Sequence, residues 1–330
     1  MSVSVWRPSA SLAVLRARAA IMARVRQFFA ERNVLEVETP LLAQASVTDP
    51  HIISIPAAYR ALGAAKEQVV YLQTSPEYAM KRLLAAGAGD IYQITKAFRQ
   101  GEVGPLHNPE FTLLEWYRLG FDHHQLMDEV AALIGQIIAA TDVPRFKYGD
   151  MFKQYVGVDP YCATMTELKE CVRQQGIHVH LSSQDVSDQT ECNFWLDVLF
   201  THCVEPYFSQ EGPVFLYDFP STQAGLAKIR DEKGTRVASR FELYFKGIEL
   251  ANGFHELQDA DEQRARFEKD LAYRALRGIV SMPVDERFLA ALTQGLPDCA
   301  GVALGIDRLV MLVLEQHSIA DVLSFDFARS

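Results

Sequence analysis

The sequence predicts an α+β fold, and three observations carry that prediction. Strand-like segments come in close pairs joined by a short loop or turn, 90–99 with 110–117 and 240–245 with 248–257. Helical segments stand before, between and after these pairs. A short apolar strand of small residues, Gly301-Val302-Ala303-Leu304-Gly305, runs directly into an apolar helix at Ile306.

Taken in order, Ser9 to Arg32 reads as a helix rich in Ala, Leu and Arg, with serine caps at its start and Asn33 just past its end. Val34 to Pro40 alternates like a strand, and Pro40 stops it. A second helix begins at Ser75-Pro76-Glu77, with Ser75 as N-cap and Pro76 in the first helical position, and ends near Gly87. Asp90 to Arg99 and Glu110 to Tyr117 are strand-like, and the loop 101–109 joins them. Asp122 to Ala140 has strong helical periodicity. Residues 145–215 read as a helical insertion, with a capping box at Thr164-Met165-Thr166-Glu167. Strands resume at Val214, a helix follows over 260–278, and the closing strand and helix end the chain. No repeat, heptad or low-complexity tract interrupts this order.

Composition narrows the class. Of 330 residues, 49% are hydrophobic and 22% charged, as in an ordinary globular protein. The net charge of −10 argues against a large polyphosphate partner, because nucleic-acid binding rests on phosphate-neutralising Lys and Arg. Arg7, Arg16, Arg18, Arg24 and Arg26 interrupt the N-terminal apolar residues, so no signal-peptide core is present. No run approaches the ~20 apolar residues that span a bilayer. The five cysteines form no CxxC pair, which fits reduced thiols and a cytoplasmic location.

Several residues have chemical potential. Phe111, Leu113, Glu115 and Tyr117 are two apart and share one face of a strand. A carboxylate there is unfavourable unless it meets a cation; a surface strand with Glu115 in water is the alternative. Arg99 ends its strand as a fixed positive fork, suited to anions or simply solvated. Glu77 fits a ligand-binding role and equally an acidic residue in a helix's first turn. Lys246-Gly247 reads as a hairpin turn that brings Glu242 and Glu249 face to face, a pair of hard oxygen ligands for Mg²⁺. Two surface glutamates so placed would repel. Asn252, Phe254 and Glu256 share a face; strict alternation puts Glu249 on the other one, so a bulge is expected, with Gly253 as its candidate. The glycines of 301–305 let a flat ligand lie on the backbone, and Arg308 can stack on it. A buried strand-to-helix turn has the same apolar pattern. His123-His124 has no Cys or His partner at ligand spacing, so no metal site is expected there.

Together, the segments Ser9–Pro40, Phe98-Arg99 with His107-Asn108-Pro109-Glu110-Phe111, and Gly301–Leu314 resemble motifs 1, 2 and 3 of the class II aminoacyl-tRNA synthetases, the lysine branch in particular. That resemblance implies one catalytic domain over 1–330, a mainly antiparallel sheet flanked by helices, and a homodimer formed through motif 1. It assigns Arg99 to bridging the substrate carboxylate and the α-phosphate of ATP. It assigns Glu102, His107, Phe111 and Arg308 to ATP, with Phe111 and Arg308 on either side of adenine. Glu242 and Glu249 would bind magnesium. Glu115, Tyr117 and Glu256 would hold the ε-ammonium, Asn252 the carboxylate, Phe254 the alkyl chain, and Ser75 with Glu77 the amine. Two positions depart from the motif 2 pattern: Glu102 comes one place late, and Leu106 stands where a basic residue is usual.

Within the family, Ser9-Ala10-Ser11, Val47-Thr48-Asp49, Thr74–Tyr78, Tyr217-Asp218-Phe219-Pro220 and Gly247–Leu257 look like the stand-alone lysine ligases of elongation factor P. Ala303 stands where the tRNA-charging enzymes have glycine. The resemblance implies ATP-dependent activation of β-lysine and its transfer to a lysine side chain of elongation factor P. It further implies no anticodon-binding domain, no tRNA and no membrane partner. A truncated lysyl-tRNA synthetase and an inactive synthetase-like regulatory subunit are the alternatives.

Overall fold

The computed structural model describes residues 6–138, 142–179, 188–209 and 212–330. In chain order its elements are α1 (Leu12–Ala30), β1 (Leu35–Glu36), β2 (Leu42–Ala43), β3 (Pro56–Tyr59), β4 (Gln68–Leu72), α2 (Glu77–Ala85), β5 (Ile91–Phe98), β6 (Glu110–Leu119) and α3 (His123–Ile138). They continue with β7 (Arg145–Lys147), α4 (Tyr148–Tyr155), α5 (Met165–Gln174), α6 (Asp188–Leu199), a π-helical turn Phe200–Val204, α7 (Glu205–Phe208), β8 (Val214–Pro220), β9 (Ile229–Glu232), β10 (Thr235–Phe245) and β11 (Ile248–His255). The last are α8 (Ala260–Leu276), α9 (Glu286–Gly295), β12 (Cys299–Gly305) and α10 (Ile306–Val313). The α+β class is as expected. No described helix is long and apolar enough to cross a membrane.

These elements form two compact units, 1–120 with 258–299 and 303–330, and 121–257 with 300–302. In the first, strands run in the order β1-β5-β6-β12, and β2-β4-β3 make a small separate sheet. β5 pairs antiparallel with β6 over its whole length, from Ile91↔Tyr117 to Phe98↔Glu110. The expected strand 34–40 shrinks to two residues, parallel to β5. One further bond, Val37 N–H to Tyr92 O at 2.9 Å, ends the pairing. α1 starts from the Ser11 cap, whose hydroxyl accepts from the Val14 N–H, and buries Ile21, Val25, Phe28 and Phe29. Phe29 stacks on Tyr92 at 4.4 Å and meets Trp116 edge-on at 5.3 Å.

Ser75 does not cap α2. Pro76 takes the cap position without a side-chain bond, and the helix starts at Glu77. The Ser75 hydroxyl instead accepts from the Glu77 N–H at 3.1 Å, a local turn bond open to serine.

In the second unit the order is β11-β10-β8-β7, with β9 also on β10. α3 buries Leu126, Met127, Val130, Leu133, Ile134 and Ile137, the helical spacing seen in the sequence; the expected end at Ala140 lies outside the described residues. The segment 145–215 is not wholly helical: Arg145–Lys147 forms β7, parallel to β8. Residues 180–187 and 210–211 of that segment also lie outside the description. Helices α4 to α7 share a core with β8 and β10, including Phe152, Leu168, Leu199, Phe208, Leu216 and Tyr244. The capping box at Thr164 and Glu167 forms as expected.

β11 does carry a bulge, but not at Gly253. Leu243 pairs with Ala251 and Tyr244 with Glu249, which leaves Leu250 as the extra residue. Leu250 and Ala251 are both 2% exposed, so two consecutive apolar residues are buried and the alternation resets. Gly253 serves close packing: a Cβ there would lie 2.4 Å from the Phe241 ring and 3.0 Å from Val302 Cβ. Overpacking a filled core costs about 1–3 kcal/mol. Gly253→Ala is expected to lower the urea-unfolding free energy by about that much. Gly104→Ala, which meets open space, should change it little. Equal stabilities for the two variants would refute this role for Gly253.

Candidate functional site

The first unit carries two clusters. One is centred on Glu115, which is 2% exposed in the middle of β6. Because β6 alternates, Tyr117 falls on the same face, and its hydroxyl donates to Glu115 Oε1 at 2.6 Å. The Ser75 hydroxyl donates to Oε2 at 2.8 Å. Burial, and then the charge of Glu77, push the Glu115 carboxyl up to about 7, against the pull of Tyr117, Ser75 and Lys81. Glu77 itself is ion-paired at 2.6 Å with Lys81, one helical turn on and 1% exposed. Sequence reasoning passed over Lys81; the i,i+4 spacing from Glu77 was the available signal. A cavity of about 290 Å³ opens beside this turn, lined in part by Ser46, Gln73, Ser75, Glu77, Arg82 and Arg287. Chemically, the cluster is a buried carboxyl ready to ionise fully once a cation approaches it.

The other cluster collects Arg99, Glu102, His107, Phe111 and Arg308. The Arg99 guanidinium lies 5.0 Å from the centre of the Phe111 ring and 3.7 Å from the Glu102 carboxylate. Arg308 Nη2 donates to His107 Nε2 at 2.9 Å. His107 reaches solvent, yet desolvation of its ring and the charges of Arg308 and Arg99 hold it below the usual imidazole value, so it serves as a neutral acceptor. The start of α10 is fixed by Asp307, 2% exposed, which pairs with Arg18 at 2.6 Å and accepts the Thr112 N–H at 2.7 Å. That anchors Arg308 relative to β6 and its Phe111. Ala303 is half-buried on β12.

In the second unit the hairpin β10–β11 closes through Lys246 (φ 52°) and Gly247 (φ 76°), as a two-residue turn with two left-handed positions requires. The expected direct facing of Glu242 and Glu249 does not occur. Glu242 pairs with Asn252, and Glu249 with Tyr244. The Leu250 bulge accounts for the change, and it brings Glu249, Glu242 and Asn252 onto one face. Glu242 is 6% exposed. It accepts from Arg240 at 2.5 Å, Tyr244 at 2.6 Å and Asn252 at 3.3 Å. Burial opposes the charge of Arg240, but Glu242 and Glu249 outweigh it and keep the guanidinium firmly protonated. Arg240 also lies 5.8 Å from the Phe254 ring centre. Glu256 is buried at 1% exposure, in a β-bridge with Ala227. Arg240 and Tyr244 were not singled out from the sequence, although their period-2 spacing with Glu242 pointed to them.

Two carboxylates on one face, with a third polar group beside them, are hard oxygen donors of the kind a divalent cation takes while keeping positions for phosphate and water. The donor set fits magnesium. A different group, His123, His124 and Asp218, brings ligand-type atoms within 4.8 Å of one another; sequence spacing did not connect Asp218 with the two histidines. Its carboxylate already meets Arg230 at 2.7 Å and Lys147 at 3.7 Å.

The family described as tRNA synthetases class II (D, K and N) matches residues 2–329. The elongation factor P–(R)-β-lysine ligases of Yersinia pestis (strain Pestoides F) and Yersinia pseudotuberculosis (serotype O:1b, strain IP 31758) are each 50% identical over 321 residues, 97% of this chain and 97% of theirs. The chain belongs to the class II tRNA synthetases (D, K and N).

Proposed function

We propose that this chain joins (R)-β-lysine to ATP as an adenylate and transfers it to a lysine side chain of elongation factor P. The observation that carries this reading is the 50% identity with the Yersinia ligases across 97% of the chain. The clusters supply the chemistry. In the first step the β-lysine carboxylate attacks the α-phosphorus of ATP, an O–P bond forms, and pyrophosphate leaves. Arg99 offsets the charge where the two anions meet, and such electrostatic stabilisation is the main source of rate open to a reaction without an enzyme nucleophile. Glu102, His107, Phe111 and Arg308 hold the nucleotide, with Glu102 3.7 Å from the Arg99 guanidinium. In the second step the neutral acceptor amine attacks the acyl carbon, the acyl C–O bond breaks and AMP leaves, and the amine gives up one proton to solvent as the amide forms. Holding both partners in place accounts for the rest of the rate.

Glu115, Tyr117 and Glu256 take the ε-ammonium, Asn252 the carboxylate, Phe254 the alkyl chain, and Ser75 and Glu77 the second amine. Glu242 and Glu249 would hold magnesium, whose contribution is charge neutralisation on the phosphate oxygens. We read the helices of 145–215 as an insertion in a single catalytic domain, and the protein as a cytoplasmic homodimer with no tRNA substrate. All five cysteines are free thiols, which supports that location.

With purified protein, ATP and β-lysine, mass spectrometry should find one β-lysyl group on elongation factor P and none on tRNALys. Charged tRNALys beside unmodified factor would replace this reading with tRNA charging.

Glu115 makes substrate binding pH-dependent. Its folded value near 7 lies above the ordinary ~4.3 of a glutamate. The unliganded fold therefore binds that proton more tightly than the unfolded chain does. Its stability falls as pH rises from about 4 to 7, then carries a constant penalty. A bound ammonium removes the penalty. The rise in melting temperature caused by β-lysine should thus be larger at pH 8 than at pH 6, and Glu115→Gln should abolish the difference. Equal rises at both pH values in the unaltered protein would contradict the assignment.

Ala303 should discriminate β-lysine from α-lysine, because its methyl takes space near the amine-bearing carbons. A difference of one methyl group is worth roughly 10- to 200-fold in kcat/KM. Ala303→Gly is expected to raise the use of α-lysine relative to β-lysine. An unchanged ratio would make Ala303 a packing residue only.

A further inference from the structure

The helices between β7 and β8 reveal no chemistry in their sequence, yet one corner of them reaches the hairpin that carries Glu242. Tyr244 stands two residues beyond Glu242 on β10. Its ring meets Phe200 at 6.0 Å and Phe208 at 5.1 Å between centroids. Its hydroxyl donates to Glu242 Oε2 at 2.6 Å. Phe200 opens the π-helical turn that leads into α7, and Phe208 ends α7 with no exposed surface. π-helical turns are rare and concentrate at functional sites.

The same corner grips the hairpin at a second point. Gly247 faces Ser209, the residue after α7, so closely that a Cβ would lie 3.2 Å from Ser209 Cα. With φ at 76°, that position also strains any other residue. One helical corner therefore fixes both the turn of the hairpin and the orientation of the Glu242 carboxylate, whose Oε1 is held by Arg240 and whose Oε2 is held by Tyr244.

We propose that Tyr244, backed by Phe200 and Phe208, is a positioning residue for Glu242 and sets the affinity of the site for its divalent cation. This rests on the reading of Glu242 and Glu249 as the cation's ligands. Partners that orient a metal-binding carboxylate typically change metal affinity about 10- to 100-fold when removed. Tyr244→Phe deletes the hydroxyl and keeps the ring between its two neighbours. Phe208→Leu keeps the hydroxyl and loosens the ring.

The test is Mn²⁺ binding by the full chain in the presence of a non-hydrolysable ATP analogue, read from the electron paramagnetic resonance signal of free Mn²⁺. Tyr244→Phe should weaken Mn²⁺ binding by roughly 10-fold or more, with Phe208→Leu shifted less in the same direction. Excess Mg²⁺ should restore adenylate formation to Tyr244→Phe. Glu242→Gln separates the two levels of the argument. Should it bind Mn²⁺ normally, the ligand reading itself fails. Should it lose Mn²⁺ while Tyr244→Phe binds as the unaltered protein does, the ligand reading stands and the positioning role of Tyr244 is overturned.

Discussion

A carboxylate taken out of water must be met by donors, or it destabilises the fold by several kcal/mol. The chain accepts that constraint repeatedly. Glu115 is met by Tyr117 and Ser75, Glu242 by Arg240, Tyr244 and Asn252, and Asp307 by Arg18 and the Thr112 N–H. Asp218 is met by Arg230 and His123. These bonds tie strands to helices and leave little freedom in register. A slip of one residue in β6 or β10 would turn the carboxylate and its tyrosine to the other face together. The fold and the candidate site are therefore fixed by the same bonds.

Glu115 and Glu242 solve the problem alike and end differently. Each stands two residues before a tyrosine on the same strand face and takes that tyrosine's hydroxyl. Glu115 takes the hydroxyls of Tyr117 and Ser75, and burial and Glu77 outweigh these and Lys81 to leave its carboxyl near 7. Glu242 has the Arg240 guanidinium as well, at 2.5 Å. A carboxyl on the edge of ionisation suits an ammonium that arrives and leaves. One gripped at both oxygens by Arg240 and Tyr244 has a fixed orientation, which suits a permanent role beside phosphate oxygens.

Most of the fold was legible because period-2 and period-3.6 patterns depend on local burial alone. β6, α3, the Thr164 capping box and the Lys246-Gly247 turn all follow from such patterns. The position of the bulge was not legible. It depends on Leu250 and Ala251 being buried together, a tertiary fact, whereas Gly253 drew attention for a property that serves packing against Phe241. Ser75 looked like a helix cap because serine usually caps; its bond to Glu115 spans 40 residues. Lys81, Arg240 and Tyr244 were visible only as spacing relative to a known acid. Asp218 lies 95 residues from His123 in sequence, beyond the reach of any spacing rule.

The late glutamate of motif 2 comes to lie beside Arg99 through the shape of its loop. From the sequence, the one-place shift of Glu102 leaves open whether it takes the role of the usual motif 2 glutamate toward ATP. In the structure Gly101 adopts φ +83°, a conformation glycine takes without penalty. The chain turns there, and the carboxylate comes back to 3.7 Å from the Arg99 guanidinium. The loop tolerates the extra residue because its ends are held independently, by Arg99 N–H to Pro109 O at 3.0 Å and Gln100 N–H to Ile53 O at 2.8 Å. The turn at Gly101 thus keeps a carboxylate beside Arg99 despite the extra residue.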